Sequence, residues 1–402
     1  MYAELHCHSY YSFHDGASSL EELMLRAKEL GYRALAITDH DNLCGAMCFA
    51  QLAKSLEMHG IIGAEVTLEG GYHLTLLAKD GGGYKNLSRL ITAAQNSGER
   101  NDPALPPNLL REHAAGLIAL SGCPRGELGQ LAATNRLAEA RRLIKQYLEW
   151  FGTDNYYIEL QQNLAFGDTA RNITLLKLAG ETGAKVVATG NVHYHVRERH
   201  QLQDCLVAVK NCKSLEETHQ ERRANSEYYL RQINELQSLF HHCPEALENT
   251  VKIAERCTFD LTTDLGYIFP DYPTPEGFTP QTYLEKLCYE AAVRRYGAVT
   301  PAVQKRLDEE FALIKKYSLA GFLLMYHEVI KLGREVMIDL GLSDPSLTLE
   351  ENPPGRGRGS SVALLAGYLI GLSHIDPLQY NLSLERFLPA DTMSSVPDID
   401  LD

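Results

Sequence analysis

The sequence has 402 residues, with 38 Lys and Arg against 52 Asp and Glu, a formal charge of −14. That length accommodates two or three domains, and 45% hydrophobic with 22% charged residues excludes a disordered tail. The negative balance argues against broad sequence-independent DNA binding, which works by neutralising phosphates. It leaves room for a nucleic-acid enzyme whose bound cations supply the local positive charge. The nine cysteines are scattered without a CxxC pair. They make no disulfide framework and point to a reducing, cytoplasmic setting. The start, MYAELHCHSYYSF, lacks the basic and apolar blocks of a secretory signal, and the longest apolar run, 362–372, is too short for a bilayer. No membrane association is expected.

Seven β-type runs follow in chain order at 2–8, 33–38, 61–68, 73–78, 116–122, 156–160 and 185–194. Amphipathic helical patterns at 18–32, 84–95 and 135–152 alternate with them. The first has Ser18 or Ser19 as its cap, Leu20, Leu23 and Leu25 as apolar positions, and Gly31 as its stop. This alternation predicts an α/β fold with a parallel sheet and right-handed crossovers, either open or closed into a barrel. From 200 to 260 the pattern is mostly helical, ending at 243–257. Pro270, Pro273, Pro275 and Pro280 then place a boundary between domains 1–270 and 271–402. Beyond it come helical segments at 281–296 and 301–340, a Gly/Arg turn at 355–359, a helix at 361–372 and a closing strand, VPDIDLD.

The chemistry-bearing residues fall at strand ends. His6 and His8 are two apart, so both imidazoles leave one strand face while Cys7 turns to the core. Asp15 lies in the next loop, His40 stands within Thr38-Asp39-His40-Asp41, Glu65 is on the third strand and His73 opens the fourth. Cys123 ends the fifth, and Asn191 and His193 are again two apart on the seventh. His14, His195 and His200 are off this pattern and are read as surface residues. Strand-end loops build the active sites of barrels and open α/β sheets. A lone His on a strand is more often a hydrogen-bonded core residue. Recurrence at successive strand ends favours a site for Zn2+, Mn2+ or Fe2+, which would activate a water and clamp a phosphate.

Two further motifs lie near the end. In PPGRGRGSS, Gly357, Arg358, Gly359 and Ser360 form a turn suited to phosphate, with Arg356 as a second fork and a following helix N-terminus offering free N–H groups. The alternative is an exposed turn, since a Gly-rich loop alone is weak evidence. In PDIDLD, alternation with Ile399 and Leu401 puts Asp398, Asp400 and Asp402 on one face. Clustered carboxylates repel one another unless a cation lies between them, as in two-metal nucleotidyl transfer; the alternative is a solvated acidic end.

LHCHS, Asp15, ITDHD, GAE, His73, LSGC and the NVH segment, in order over residues 1–270, resemble the polymerase-and-histidinol-phosphatase (PHP) domain. They most resemble its version in bacterial C-family polymerases, the alpha subunit of DNA polymerase III, on the error-prone branch. The resemblance implies a distorted seven-stranded β/α barrel holding up to three ions on His6, His8, Asp15, His40, Glu65, His73, Cys123 and His193. Asn191 stands where that family usually has Asp; its amide oxygen can coordinate but carries no charge. GRGRGSS, IDPL, LERFLP and PDIDLD are similar to the palm of the same polymerases, which implies a mostly helical, partial palm region. By that likeness the loop helps bind the incoming triphosphate, and Asp400 and Asp402 hold catalytic Mg2+ with Asp398 beside them. Ser361-Val362-Ala363-Leu364 replaces a smaller, Gly-containing run.

The leading reading is therefore the amino-terminal portion of a DNA-directed DNA polymerase, for replication or error-prone repair. Its PHP domain would act as a metal-dependent phosphoesterase or 3′–5′ exonuclease. DNA and dNTP would be partners of the complete polymerase, and a sliding clamp would bind through downstream regions. At 402 residues the chain is short for such a polymerase, and alone it is not expected to extend a primer. One alternative is a free-standing PHP phosphoesterase acting on a small monoester such as histidinol phosphate. Another is a non-enzymatic scaffold whose barrel binds metals for stability.

Overall fold

Short apolar runs bounded by turns become strands β1 (Ala3–Glu4), β2 (Ala34–Ile37), β3 (His59–Leu68), β4 (Tyr72–Ala78), β5 (Leu117–Leu120), β6 (Tyr156–Gln161) and β7 (Lys185–Thr189). They hydrogen-bond in that order in the computed structural model, which describes residues 1–97, 102–266, 272–349, 351–355, 357–388 and 399–401. Past the ends of β1 and β7, the His8 N–H donates to the Val192 carbonyl at 2.8 Å and the Val192 N–H to the His6 carbonyl at 2.9 Å. This parallel bridge joins the sheet edges and closes the barrel.

The sheet is not wholly parallel, which corrects the sequence expectation: β4 runs antiparallel to both β3 and β5. The reason is the three-residue link Glu69-Gly70-Gly71, too short for a crossover helix. Both glycines adopt positive φ, +90° and +77°, as a tight hairpin requires. The reversal has a functional consequence. The first residues of β4 stand at the rim where its neighbours end, so His73 joins the side chains that follow the other strands.

Alternate residues of the strands fill the barrel: Ala3, Leu5, Ala36, Ile61, Leu77, Ile118, Tyr157 and Val187 share one buried cluster with Ile253 and Ala254 of helix Pro244–Arg256. That helix seals the end where strands begin. Its Thr250 hydroxyl accepts from Ala3 N–H at 3.1 Å, and its Asn249 amide donates to the Val186 carbonyl at 2.8 Å. A site can therefore open only at the other end.

Helix Leu20–Glu29 packs outside the barrel through Leu20, Leu23, Met24 and Ala27, spaced i, i+3, i+4 and i+7. Leu25, expected on that face, is 49% exposed, because one residue past Met24 the helix has turned away. Ser19 and Glu22 form a reciprocal capping box, whereas Ser18 is taken by the half-buried His195. His195 is thus a structural residue and not a surface one. Replacing Ser19 by Ala should lower stability by about 1 kcal/mol, measured by urea titration of wild type and variant.

The chain divides into two compact units, Met1–Gly266 and Tyr267–Asp402. The second has its own core, including Leu284, Cys288, Leu307, Ile314, Leu323, Leu324 and Leu365. The helical run expected over 301–340 is two helices, Pro301–Lys316 and Ala320–Asp339. Ser318 separates them at φ +57°, a left-handed stop. The helix expected over 361–372 is a 3-10 turn, Gly359–Ala363, then Leu365–Leu369. Leu364, extended at φ −86° and ψ 116°, keeps the two from merging. Among the described residues no helix is long and apolar enough to cross a membrane.

Candidate metal centre

Glu65, in the middle of β3, is 1% exposed and lies at the centre of the rim. Its Oε1 lies 3.3 Å from His6 Nε2, and its Oε2 lies 3.6 Å from His8 Nε2, 3.1 Å from His40 Nδ1 and 3.0 Å from His73 Nδ1. The Nε2 atoms of His6 and His8 are 3.1 Å apart. Two imidazole nitrogens on one tetrahedral zinc lie about 3.3 Å apart. Two triads, His6–His8–Glu65 and His40–His73–Glu65, could each hold an ion and would share Glu65.

The hydrogen bonds behind the imidazoles fix which nitrogen faces the rim. His6 Nδ1 is 2.7 Å from Glu159 Oε1, so it keeps its proton there and turns Nε2 to the centre, where a bound cation would take the place of the second proton. Glu159 is itself held by Gly122 N–H at 3.1 Å, by the Gln161 amide at 2.7 Å and by the Thr189 hydroxyl. Ser12 donates to Asp39 at 2.6 Å, so at 3.0 Å its oxygen accepts from His8 Nδ1–H. His8 Nε2 is then a lone-pair donor. Carboxylates oriented through imidazole in this way raise the basicity of a ligand.

The electrostatics favour a cation. Burial lowers the His6 pKa, but Glu159 and Glu65 outweigh it and hold it up at about 10. The field that stabilises an imidazolium proton there would equally stabilise a divalent ion. Burial, together with His193 and His40, pushes His8 well below its ordinary value, so it is a neutral donor. Burial acts to raise Glu65, but His73, His6 and His40 hold it well below the usual carboxylate range. Glu65 Oε1 is nevertheless a buried oxygen that accepts no hydrogen bond. An orphaned carboxylate oxygen among imidazole lone pairs fits a metal ion, and this donor set suits Zn2+, Mn2+ or Fe2+.

Asp15 accepts from His40 Nε2–H at 3.0 Å and lies 3.4 Å from His193 Nδ1. Cys123 Sγ is 3.5 Å from His73 Nδ1, and burial pushes its thiol well up. Asn191 adopts φ +48°, a left-handed conformation that Asn tolerates, and its amide oxygen lies 3.0 Å from His193 Nε2. All nine barrel residues singled out in the sequence thus gather at one rim, with Glu65, His6, His8, His40 and His73 in the two triads. Gly122, at φ +88°, passes so close to the His73 carbonyl that an added Cβ would lie 2.3 Å from it. Gly122→Ala should displace His73 and Cys123 and weaken metal affinity by about 10-fold or more, read by competition with a chromogenic chelator.

Sequence reasoning missed Glu159, the Ser12–Asp39 pair and Arg223. Glu159 did leave a signal, since a carboxylate inside the aromatic and aliphatic run YYIEL is costly unless it has a partner. Arg223 left none: it lies in the polar, irregular stretch QERRANS.

In the second unit, Gly357–Arg358 pairs antiparallel with Asp400–Leu401, placing Arg358 opposite Asp400 and Gly357 opposite Leu401. Gly357 has no room for a side chain, since a Cβ would meet the Leu372 carbonyl at 2.2 Å. Gly359 adopts φ +74°, and half-buried Ser360 follows it. Arg356, Asp398 and Asp402 lie outside the described residues. One expectation is corrected. The N–H groups of Leu365 and Ala366 are not free for a ligand, because buried Glu310 accepts both at 2.8 Å.

Residues 4–163 match the PHP domain, and residues 282–402 match the bacterial DNA polymerase III alpha NTPase domain. The whole chain aligns with an error-prone DNA polymerase of Symbiobacterium thermophilum at 37% identity, covering 100% of this chain and 37% of that protein. It aligns at 33% identity with DNA polymerase III subunit alpha of Treponema pallidum, covering 100% and 34%. With an error-prone DNA polymerase of Pseudomonas aeruginosa the identity is 35%, covering 100% and 36%. The chain thus spans little more than a third of the length of these relatives. It carries sequence of the PHP domain and of the bacterial DNA polymerase III alpha NTPase domain, and over its whole length it is similar to error-prone DNA polymerases and DNA polymerase III alpha subunits.

Proposed function

We propose that the Met1–Gly266 unit is a metal-dependent phosphodiesterase, acting as a 3′–5′ exonuclease, and that the chain is part of a DNA-directed DNA polymerase. The observation that carries the first part is the pair of His/His triads sharing one buried carboxylate, whose Oε1 accepts no hydrogen bond, at the open end of the barrel. His6, His8, His40, His73 and Glu65 would hold the ions, with Asp15, Cys123, Asn191 and His193 at the rim beside them. When bound, such ions lower the pKa of a water and neutralise a phosphate. The protein's own part is to turn His6 Nε2 to the centre through Glu159, to present a neutral nitrogen at His8 through Ser12–Asp39, and to keep Glu65 ionised.

For the polymerase part, the support is full-length similarity to polymerases and the pairing of the Gly357–Arg358 turn with Asp400. Arg358 and the turn would contact the triphosphate of a dNTP, and Asp400, with Asp398 and Asp402, would hold Mg2+. DNA and a sliding clamp would be partners of the complete polymerase. The small-monoester phosphatase reading is disfavoured, because such an enzyme has no use for polymerase sequence over 282–402.

The test compares wild type with His40→Ala for Mn2+-stimulated release of nucleotide from 3′-labelled single-stranded DNA, alongside a panel of phosphate monoesters. Release from DNA should fall by about 10²-fold or more in the variant. Equal rates, or hydrolysis of monoesters alone, would overturn the reading.

A further inference from the structure

Arg223 occupies the flank of the rim. Its Nη2 lies 3.0 Å from Asp15 Oδ1, 3.3 Å from Asp15 Oδ2, 3.0 Å from His193 Nδ1 and 2.5 Å from His193 Nε2. Its guanidinium lies over the Tyr228 ring at 4.6 Å, which holds the group in place from behind. Asp15, Asn191 and His193 would be natural company for an additional ion, yet among the described residues only the two triads around Glu65 bring three His, Cys, Asp or Glu donor atoms together, and Asn191 adds no charge. His40 cannot serve both neighbourhoods. Its Nδ1 faces Glu65 and its Nε2 is engaged with Asp15, so the ring that could have completed the flank belongs to the second triad.

The charges explain why a guanidinium suffices on that flank. Asp15 contributes one negative charge there, and the Asn191 amide, 3.0 Å from His193 Nε2, contributes none. One fixed positive charge balances one carboxylate. A divalent ion would leave an excess of positive charge beside Arg223 in a half-buried site. Gln203 supports the arrangement by donating to Asp15 Oδ1 at 3.2 Å.

We propose that Arg223 is the resident cation of this flank: it holds Asp15 and His193 in place of an ion, so that the centre takes two metal ions, both bridged by Glu65. This rests on the metal-centre reading above. It makes Arg223 a positioning residue, because it orders His193 and Asp15, and through Asp15 the His40 ring.

The test is metal stoichiometry of the full chain, loaded with Zn2+, desalted and measured by inductively coupled plasma mass spectrometry, with titration calorimetry as a second count. Wild type should carry about two ions per chain. The double variant Arg223→Met/Asn191→Asp, which removes the cation and adds a carboxylate, should carry about three. Arg223→Lys, which keeps a cation, should stay at about two and serves as a folding control. Three ions on wild type, or two on a folded double variant, would overturn the role of Arg223 while leaving the metal centre intact. No ions on wild type would overturn the metal-centre reading itself, and this inference with it.

Discussion

Replacing Glu65 by Gln should empty both ion positions and reduce phosphodiester hydrolysis by about 10³-fold. Glu65 is common to both triads, and its four imidazole neighbours lie between 3.0 and 3.6 Å from its oxygens. The amide has the same shape, so no cavity opens, but it brings no charge and cannot bridge two cations. The loss would therefore be electrostatic and not a packing defect. Zinc content by mass spectrometry and nucleotide release, measured on the same preparation, check this. Retention of both ions by a folded Glu65→Gln chain would show that the carboxylate is not the bridge.

The second large effect belongs to the other unit. Glu310 is fully buried and accepts from Leu365 N–H and Ala366 N–H at 2.8 Å each and from Arg306 Nε at 2.7 Å. Arg306 in turn donates to the Ala363 carbonyl at 2.7 Å and the Leu382 carbonyl at 3.2 Å. This pair clamps the segment that follows the Gly357–Ser360 turn. Glu310→Ala would strip two buried N–H groups and a guanidinium of their acceptor, at a cost of about 3 kcal/mol. Amide exchange at Leu365 and Ala366 should accelerate by about 10²-fold, as that energy requires. Exchange within a factor of two of wild type would contradict the clamp.

The same residue gives a pH signature. Burial raises the Glu310 pKa above its ordinary value, against the opposing pull of the Ala366 and Leu365 N–H groups and of Arg306. The folded unit then binds that proton more tightly than the unfolded chain does. Its contribution to stability is full below the ordinary carboxyl value and is lost as pH rises through the raised folded value. Glu310→Gln should flatten this dependence in denaturant titrations across that window. An unchanged slope would place the titration elsewhere.

Much of the first unit was legible because its chemistry and its periodicity coincide. Each strand is a short apolar run, and most predicted rim residues follow a strand end closely, with Glu65 inside β3 and Asp15 in the loop after β1. His73 is the informative exception. It begins a strand, and only the Gly70-Gly71 hairpin brings it to the same rim. The support behind the imidazoles was less legible, because Glu159, Ser12 and Asp39 act across strands that are distant in sequence. His6 and Glu159 are 153 positions apart. Arg223 was invisible for a different reason: it reaches the rim from a segment without periodicity. In the second unit the turn and the Asp400 segment were readable as motifs. The buried Glu310 was not, since at its helical position it reads as one more charge beside Arg306.

The most direct measurement is anomalous diffraction at the zinc edge from crystals of the full chain grown with Zn2+. Two peaks are expected, about 2.0–2.2 Å from the triad nitrogens and the Glu65 oxygens, one between His6 and His8 and one between His40 and His73. A rim without anomalous density, or ions bound only away from Glu65, would contradict the assignment of this barrel end as a shared-carboxylate metal centre.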